Sequence, residues 1–366
     1  MKIKFSHIVG FLFFLIFGAL LWYFRHIVSY IIIAAILSLV GKPLVDLLQR
    51  IRYKSWRLSR SLSALLTLML LWLGIALFFR TFLPLIGEQA AELSRIDVNA
   101  VTQKLQEPIL QAEELFRKFP SGTQEMSLQS HISEKISEVM NFSIITNLVG
   151  SLVGMLGNIF IAIFSISFIS FFFLKDDGLL YNAILMLIPD KYVEQVKHVL
   201  ASVKRLLTRY FIGIVIQISA IILLISIGLL VVGLDLSEAL VIGLVAGIMN
   251  IIPYIGPIIG TMLGLLLGIA THLHLPFMQE LLPLLGWMLL VFMVVQLMDN
   301  ILFQPLIYSN SVNAHPLEIF LVIMIAGSIA GVAGMILAIP LYTIIRVVAK
   351  EFFNNFKVVK KMTEKI

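Results

Sequence analysis

Asn250-Ile-Ile-Pro253-Tyr254-Ile-Gly256-Pro257 lies in the middle of an apolar run of 33 residues, Ala239 to Thr271. An unbroken helix of that length would measure about 50 Å, against a hydrocarbon core of about 30 Å. Pro253 and Pro257 each remove a helical donor and Gly256 loosens the backbone beside them, so two helical halves meeting at a break are expected. Backbone groups freed at such a break are tolerable at bilayer depth only inside protein or beside water. A second apolar run of 29 residues, Leu317 to Ile345, is interrupted by Gly327, Gly331 and Gly334, with Pro340 further on. Its unbroken helix would measure about 44 Å. Two Gly/Pro-interrupted apolar segments at corresponding places are the sequence pointer to a transport site.

The composition agrees. Of 366 residues, 60% are hydrophobic and 13% charged, where a soluble domain carries roughly 45–50% apolar and about 25% charged residues. That excludes a soluble enzyme and a disordered chain. Continuous apolar runs, without period-two alternation, exclude an outer-membrane barrel. With no Cys, disulfides, thiolate metal sites and thiol catalysis are excluded too. The class is therefore an all-α polytopic membrane protein, with about 6–8 spanning helices, two broken or re-entrant helical hairpins and amphipathic helical segments.

Charge placement orients it. Apolar runs Ile8–Phe24 and Ile27–Val40 read as two spans joined by a tight turn at Arg25-His26. The segment from Gly41 to Arg60 holds six bases against Asp46 alone, which places it, and the N-terminus, in the cytoplasm. Ser61–Leu83 then leads outward, and residues 1–83 form an N-terminal scaffold. Pro84–Asn147 (84–147) has nine acids and five bases with apolar residues at helical spacing, an external amphipathic region. Residues 148–209 comprise a span, Leu148–Leu174, and a cytoplasmic amphipathic helix that runs into the span Tyr210–Val232. Residues 210–346 are expected to be the transport unit, and 347–366 a basic cytoplasmic tail. If both interrupted segments are re-entrant, Tyr210–Val232 plus the first mirrors Leu281–Leu302 plus the second, an inverted repeat. If both cross fully, the tail again ends inside. The loops lack the Lys and Arg that would separate these topologies; the length argument favours hairpins.

From Tyr210 to Ile345 the chain has no Lys or Arg, yet it carries Asp235, Glu238, Glu280, Asp299 and Glu318. Asp299, late in an apolar run, is the strongest candidate, because only a proton or a monovalent cation is at hand to neutralise it. Gln296, Asn300 and Gln304 are its polar neighbours. On an α-helix Gln296 shares its face, whereas Asn300 is turned away by about 100°. Alternatively Asp299 caps a helix at the membrane interface, since Pro305 implies that the helix soon ends. Asn250, Pro253, Tyr254 and Gly256 form the second candidate site, with Asn250 and Tyr254 at i, i+4 spacing facing a cation or a hydroxylated ligand. Gly256, Gly260, Gly264 and Gly268 are a close-packing stripe. His272 and His274 read as interfacial, and His315 and Glu318 as cap residues with a possible proton-relay role. No nucleotide-binding, hydrolase or metalloprotease motif is present, so neither cofactor nor enzymatic activity is expected.

The interrupted segments resemble those of the AI-2E (autoinducer-2 exporter-like) family. The match rests on Asn250–Gly260, on Gln296-Leu-Met-Asp299-Asn300-Ile-Leu-Phe-Gln304-Pro305, on Ala314-His315-Pro316-Leu317, and on Gly327-Ser-Ile-Ala-Gly331-Val-Ala-Gly334 with Ile339-Pro340. Many relatives have an adjacent Gly-Gln pair in the span after the amphipathic helix; here Gly213 and Gln217 are separated. The resemblance implies export of small polar signalling molecules in some members and sodium (lithium)/proton antiport in others. It also implies a homo-oligomer, a pentamer, in the bacterial cytoplasmic (inner) membrane. The leading expectation is a secondary exporter of a small polar solute, then a cation/proton antiporter using Asp299, then a non-transporting membrane scaffold. Partners would be that solute or a monovalent cation or proton, the lipid bilayer and further copies of the chain, with no nucleic acid.

Overall fold

The computed structural model describes residues 18–20, 22–50, 52–53, 56–94, 156–176, 178–272, 274–308 and 315–353. Among them, five helices are long and apolar enough to cross a membrane, and three shorter apolar helices accompany them. This is the architecture of a polytopic membrane protein. The first 17 residues, the bulk of the acidic external region, residues 309–314 and the end of the tail lie outside the described residues.

Two compact units divide the chain. In the first, α1 (Arg25–Arg50) is followed by a short hairpin of β1 (Arg52–Tyr53) and β2 (Trp56–Arg57), with Arg52 opposite Arg57 and Tyr53 opposite Trp56. Then come α2 (Arg60–Ser94), which belongs to this unit as far as Ile75, α3 (Leu156–Lys175) and α4 (Leu179–Met186); residues 347–354 complete the unit. A turn at Phe24 lies directly before α1, one residue from the expected Arg25-His26 turn, and most of the first apolar run lies outside the described residues. Val45, Ala64 and Leu174 make the small core of this unit. Gly41 lets the helices close up, because a Cβ there would meet Thr67, Leu71 and Leu174 at 3.1–3.3 Å. At the end of α3, Asp176 accepts a 3.0 Å bond from the Gly178 amide, closing the turn that follows the helix.

A helix of 40 residues, α5 (Val193–Val232), runs from the first unit into the second. At about 60 Å it is twice as long as the hydrocarbon core is thick. Its charged first half, with Lys197, Lys204, Arg205 and Arg209, buries Val199 and Leu206 against Val347. From Tyr210 onward it carries no charge.

The second unit holds the interrupted segments. The first is α6 (Leu236–Met249) and α7 (Ile255–Thr271), separated at residues 250–254. They are antiparallel: a Cβ on Gly260 would meet Ala246 and one on Gly264 would meet Ile242. The helix α8 (Leu282–Met298) packs along the other side of α7, with Phe292 against Gly264 and Met288 against Gly268. The glycine stripe therefore serves two neighbours, with Gly256 and Gly260 toward α6, Gly268 toward α8, and Gly264 meeting both. Ile221, Ile225, Leu229, Ile242, Met288 and Phe292 form the core.

Beyond α8, a π-helical turn over Asp299–Phe303 leads into α9 (Gln304–Tyr308). The chain is still helical at Pro305, and the described helix ends three residues later, at Tyr308. The widened turn relieves the clash between the proline ring and the preceding carbonyls. Last comes α10 (Pro316–Phe353), which is not straight. Ala330 (φ −132°, ψ 18°) and Gly331 (φ 59°, ψ −143°) leave helical geometry. The Tyr342 hydroxyl donates to Glu318, 24 residues earlier, a separation of about 36 Å along a straight helix. A Cβ on Gly334 would strike the Ala326 carbonyl, and one on Gly327 would strike Met335. These three pairs share one antiparallel register, so α10 folds back on itself at 330–331.

Candidate functional site

Asp299 is fully buried, with 0% relative exposure. Three neutral amides converge on its carboxylate. Gln217 Nε2, from the middle of α5, donates to Oδ1 at 2.6 Å. Gln304 Nε2 donates to Oδ2 at 2.9 Å, and Asn250 Nδ2, at the end of α6, reaches the same oxygen at 3.4 Å. Gln217 and Asn250 are themselves buried. A carboxylate shut away from water is costly unless it is hydrogen-bonded or neutralised. Asp299 is thus a buried acid whose carboxylate is hydrogen-bonded by neutral amides.

The π turn explains one of these bonds. In an α-helix, residues five apart are about 140° out of register. An i→i+5 turn aligns them, and it brings Gln304 over Asp299. Gln296, expected on the same face as Asp299, bonds instead to Asn300. Gln296 Nε2 donates to Asn300 Oδ1 at 3.1 Å, and Gln304 Nε2 reaches that oxygen at 2.9 Å. Gln296, Asn300 and Gln304 thus make a polar stripe at i, i+4, i+8, joined to the buried acid through Gln304.

The break in the first hairpin is tight. The Ile255 amide donates to the Pro253 carbonyl at 2.8 Å across Tyr254, whose φ of 68° and ψ of −50° define a γ-turn. Tyr254 is the sole non-glycine residue with positive φ among the described residues. Its ring meets Phe320 edge-on at 6.4 Å. Asn250 and Tyr254 are therefore not one helical turn apart on a shared face: α6 ends at Met249, Asn250 turns to Asp299, and Tyr254 turns to Phe320. Gly256 is where the chain re-enters a helix, and a Cβ there would overlap the Met249 carbonyl at 1.9 Å. Pro253 supplies the carbonyl of the turn.

Of the expected site residues, the fold brings together Asn250, Asp299 and Gln304, with Asn300 and Gln296 alongside. Gln217, absent from the expected set, makes the shortest bond to Asp299. It stands 82 positions away, and its signals were a lone Gln in an apolar span and the Gly-Gln pair that relatives carry there, from which this chain departs. His272 and His274 stack at 5.9 Å, away from Asp299. His315 and Glu318 cap α10: the Leu317 amide donates to His315 Nδ1 and the His315 amide to Glu318. Among the described residues no group of three His, Asp or Glu side chains is placed to hold a metal ion.

Residues 11–354, which include every residue of this cluster, match the family model described as AI-2E family transporter. The chain belongs to the AI-2E transporter family. It is 28% identical over 333 residues to the "Putative transport protein YueF" of Bacillus subtilis, covering 88% of this chain and 82% of that protein. A shorter stretch of 58 residues, 16% of each chain, is 41% identical to the "Putative permease PerM" of Escherichia coli. Another of 61 residues, 17% of each chain, is 33% identical to the "Putative transport protein YrrI" of Bacillus subtilis. The AI-2E family is one of transporters and not of enzymes, and its members are multi-pass membrane proteins.

Proposed function

We propose that the protein is a secondary transporter that exports a small polar solute, of the autoinducer-2 type, across the bacterial cytoplasmic membrane by alternating access. The supporting observation is the amide cluster around Asp299, with its continuation along Gln296, Asn300 and Gln304. Polar side chains spaced along one face of a membrane helix are poorly accommodated by lipid, and they suit a water-filled path. Each amide carries a donor and an acceptor on one rotatable group, so the stripe matches a hydroxyl-rich solute without a fixed charge.

The two hairpins act as re-entrant elements of an inverted repeat, and 210–346 is the moving unit against an N-terminal scaffold. The limbs of the first hairpin, 14 and 17 residues, are about 21 Å and about 25 Å long, both short of the hydrocarbon core. The termini face the cytoplasm, and the exposed apolar helix faces meet lipid and other copies in a homo-oligomer.

A second reading, sodium (lithium)/proton antiport, is favoured by one observation. The buried Asp299 belongs to a stretch, Tyr210–Ile345, that has no Lys or Arg. Turned by half a rotation, each amide presents oxygen in place of nitrogen, which makes a carboxylate-and-carbonyl cage suited to a small hard cation. Reconstitution decides between the two. Proton movement driven by added sodium in proteoliposomes supports antiport, whereas uptake of neutral polyhydroxylated solutes without it supports the solute exporter. Failure of both in protein of verified fold would sink the transport reading.

A further inference from the structure

We propose that one face of α5 binds an anionic phospholipid, with Arg205 and Arg209 on its phosphate and Ile216 and Leu223 along an acyl chain. The four residues belong to a single helix, Val193–Val232, and stand at i, i+4, i+11 and i+18. At 100° per residue they fall within about 40° of one another, so they form one row. All four are exposed, the two apolar ones by 59% and 58%. Arg209 directly precedes the uncharged part of the helix, and Ile216 follows it by about 10 Å along the axis. Leu223 lies about 10 Å further, so the apolar part of the row fits within one leaflet of hydrocarbon, about 15 Å deep. Gln217 is turned about 100° from Ile216, so the row and the bond to Asp299 lie on different faces of the helix.

Charge decides what covers this face. Arg205 and Arg209 are one helical turn apart, and like charges at that spacing destabilise a helix. Among the described residues no carboxylate pairs with either of them. Glu194, the acid further back along the same face, is already engaged by Lys197 Nζ at 2.8 Å. A phosphate set between the two guanidinium groups accepts from both and removes their repulsion. Next to it the row is apolar and is suited to hydrocarbon. A lipid of net negative charge supplies both parts in one molecule, whereas a zwitterionic lipid brings its own ammonium group to the same two arginines.

The site is independent of what is transported. The chain has no Cys, so Ser219→Cys, at an exposed position beside the row, gives a single attachment point for bimane. The labelled full chain is placed in phosphatidylcholine nanodiscs that carry increasing amounts of doxyl-phosphatidylglycerol or doxyl-phosphatidylcholine. The anionic probe should quench half-maximally at about a tenfold lower mole fraction, the order expected for two bases near a membrane surface. High salt should shrink that preference. Arg205→Gln combined with Arg209→Gln should bring the two probes level. Quenching by doxyl-phosphatidylcholine should persist in that variant, which shows that α5 is still in the bilayer. Glu194→Gln should leave the preference in place. Equal quenching of the wild-type row by the two probes, or a preference that survives the double substitution, overturns the proposal. Quenching by neither probe also overturns it, because protein, such as a second copy of the chain, would then cover the face.

Discussion

At the residue scale, the burial of Asp299 makes the strongest demands. Its shortest partner, Gln217 at 2.6 Å, is a neutral donor on another helix. Gln217→Leu removes that donor and should cost about 1.5–3 kcal/mol of stability, the range for hydrogen bonds to charged groups. Thermal unfolding in detergent would read this; an unchanged midpoint would mean that the bond contributes little. Asp299→Asn keeps the shape and loses the charge. It should retain the fold and abolish any ion-coupled flux in proteoliposomes, together with its pH dependence. Tyr254 is the other strained residue, held at φ 68°. Glycine relieves that conformation, and a bulky residue held there costs about 1–3 kcal/mol. Tyr254→Gly and Tyr254→Ala lose the same contact with Phe320, so Tyr254→Gly should be the more stable of the two. Equal stability of the pair would deny the strain.

At the scale of elements, the hairpins depend on close backbone approach. A Cβ at Gly260 would already meet Ala246 Cα at 3.0 Å. Gly260→Leu should therefore destabilise by at least the 1–3 kcal/mol or so that overpacking typically costs. It should also stop transport. Gly74→Ala, where nothing lies within 4 Å of the added atom, is the matched control. Gly256→Ala should be worse than its small volume suggests, because the obstacle is the Met249 carbonyl, and a backbone cannot rotate aside as a side chain does. The periodicity of these glycines was readable as close packing. Which helix each one faced was not, because one stripe on α7 is shared between α6 and α8.

At the scale of the whole molecule, topology can be read chemically, because the chain has no Cys. A single cysteine at Ser59 should react with a membrane-impermeant reagent from the cytoplasmic side. One at Ile251, at the tip of the first hairpin, should not react from that side if the hairpin is re-entrant from outside. Labelling of Ile251 from the cytoplasm would mean that both limbs cross. Helix content, the two breaks and the uneven distribution of charge were all legible from local composition. The reversal of α10 was less so: its glycines announced an interruption, but it takes the pairing of Glu318 with Tyr342, and of Ala326 with Gly334, to show that the chain turns back.

The sequence by itself determined that this chain lives in a bilayer, where its apolar runs break, and that Asp299 lies in a stretch without Lys or Arg. Those are consequences of transfer free energy and backbone chemistry, which act residue by residue. Tertiary structure alone decided that Gln217 and Asn250, 82 and 49 positions from Asp299 along the chain, would turn their amides to its carboxylate. It also decided that a π turn, and not an α turn, would bring Gln304 over the same acid. The reason is that hydrogen-bond satisfaction in a low-dielectric interior depends on which groups the packed helices bring within about 3 Å, and no spacing along one helix encodes that.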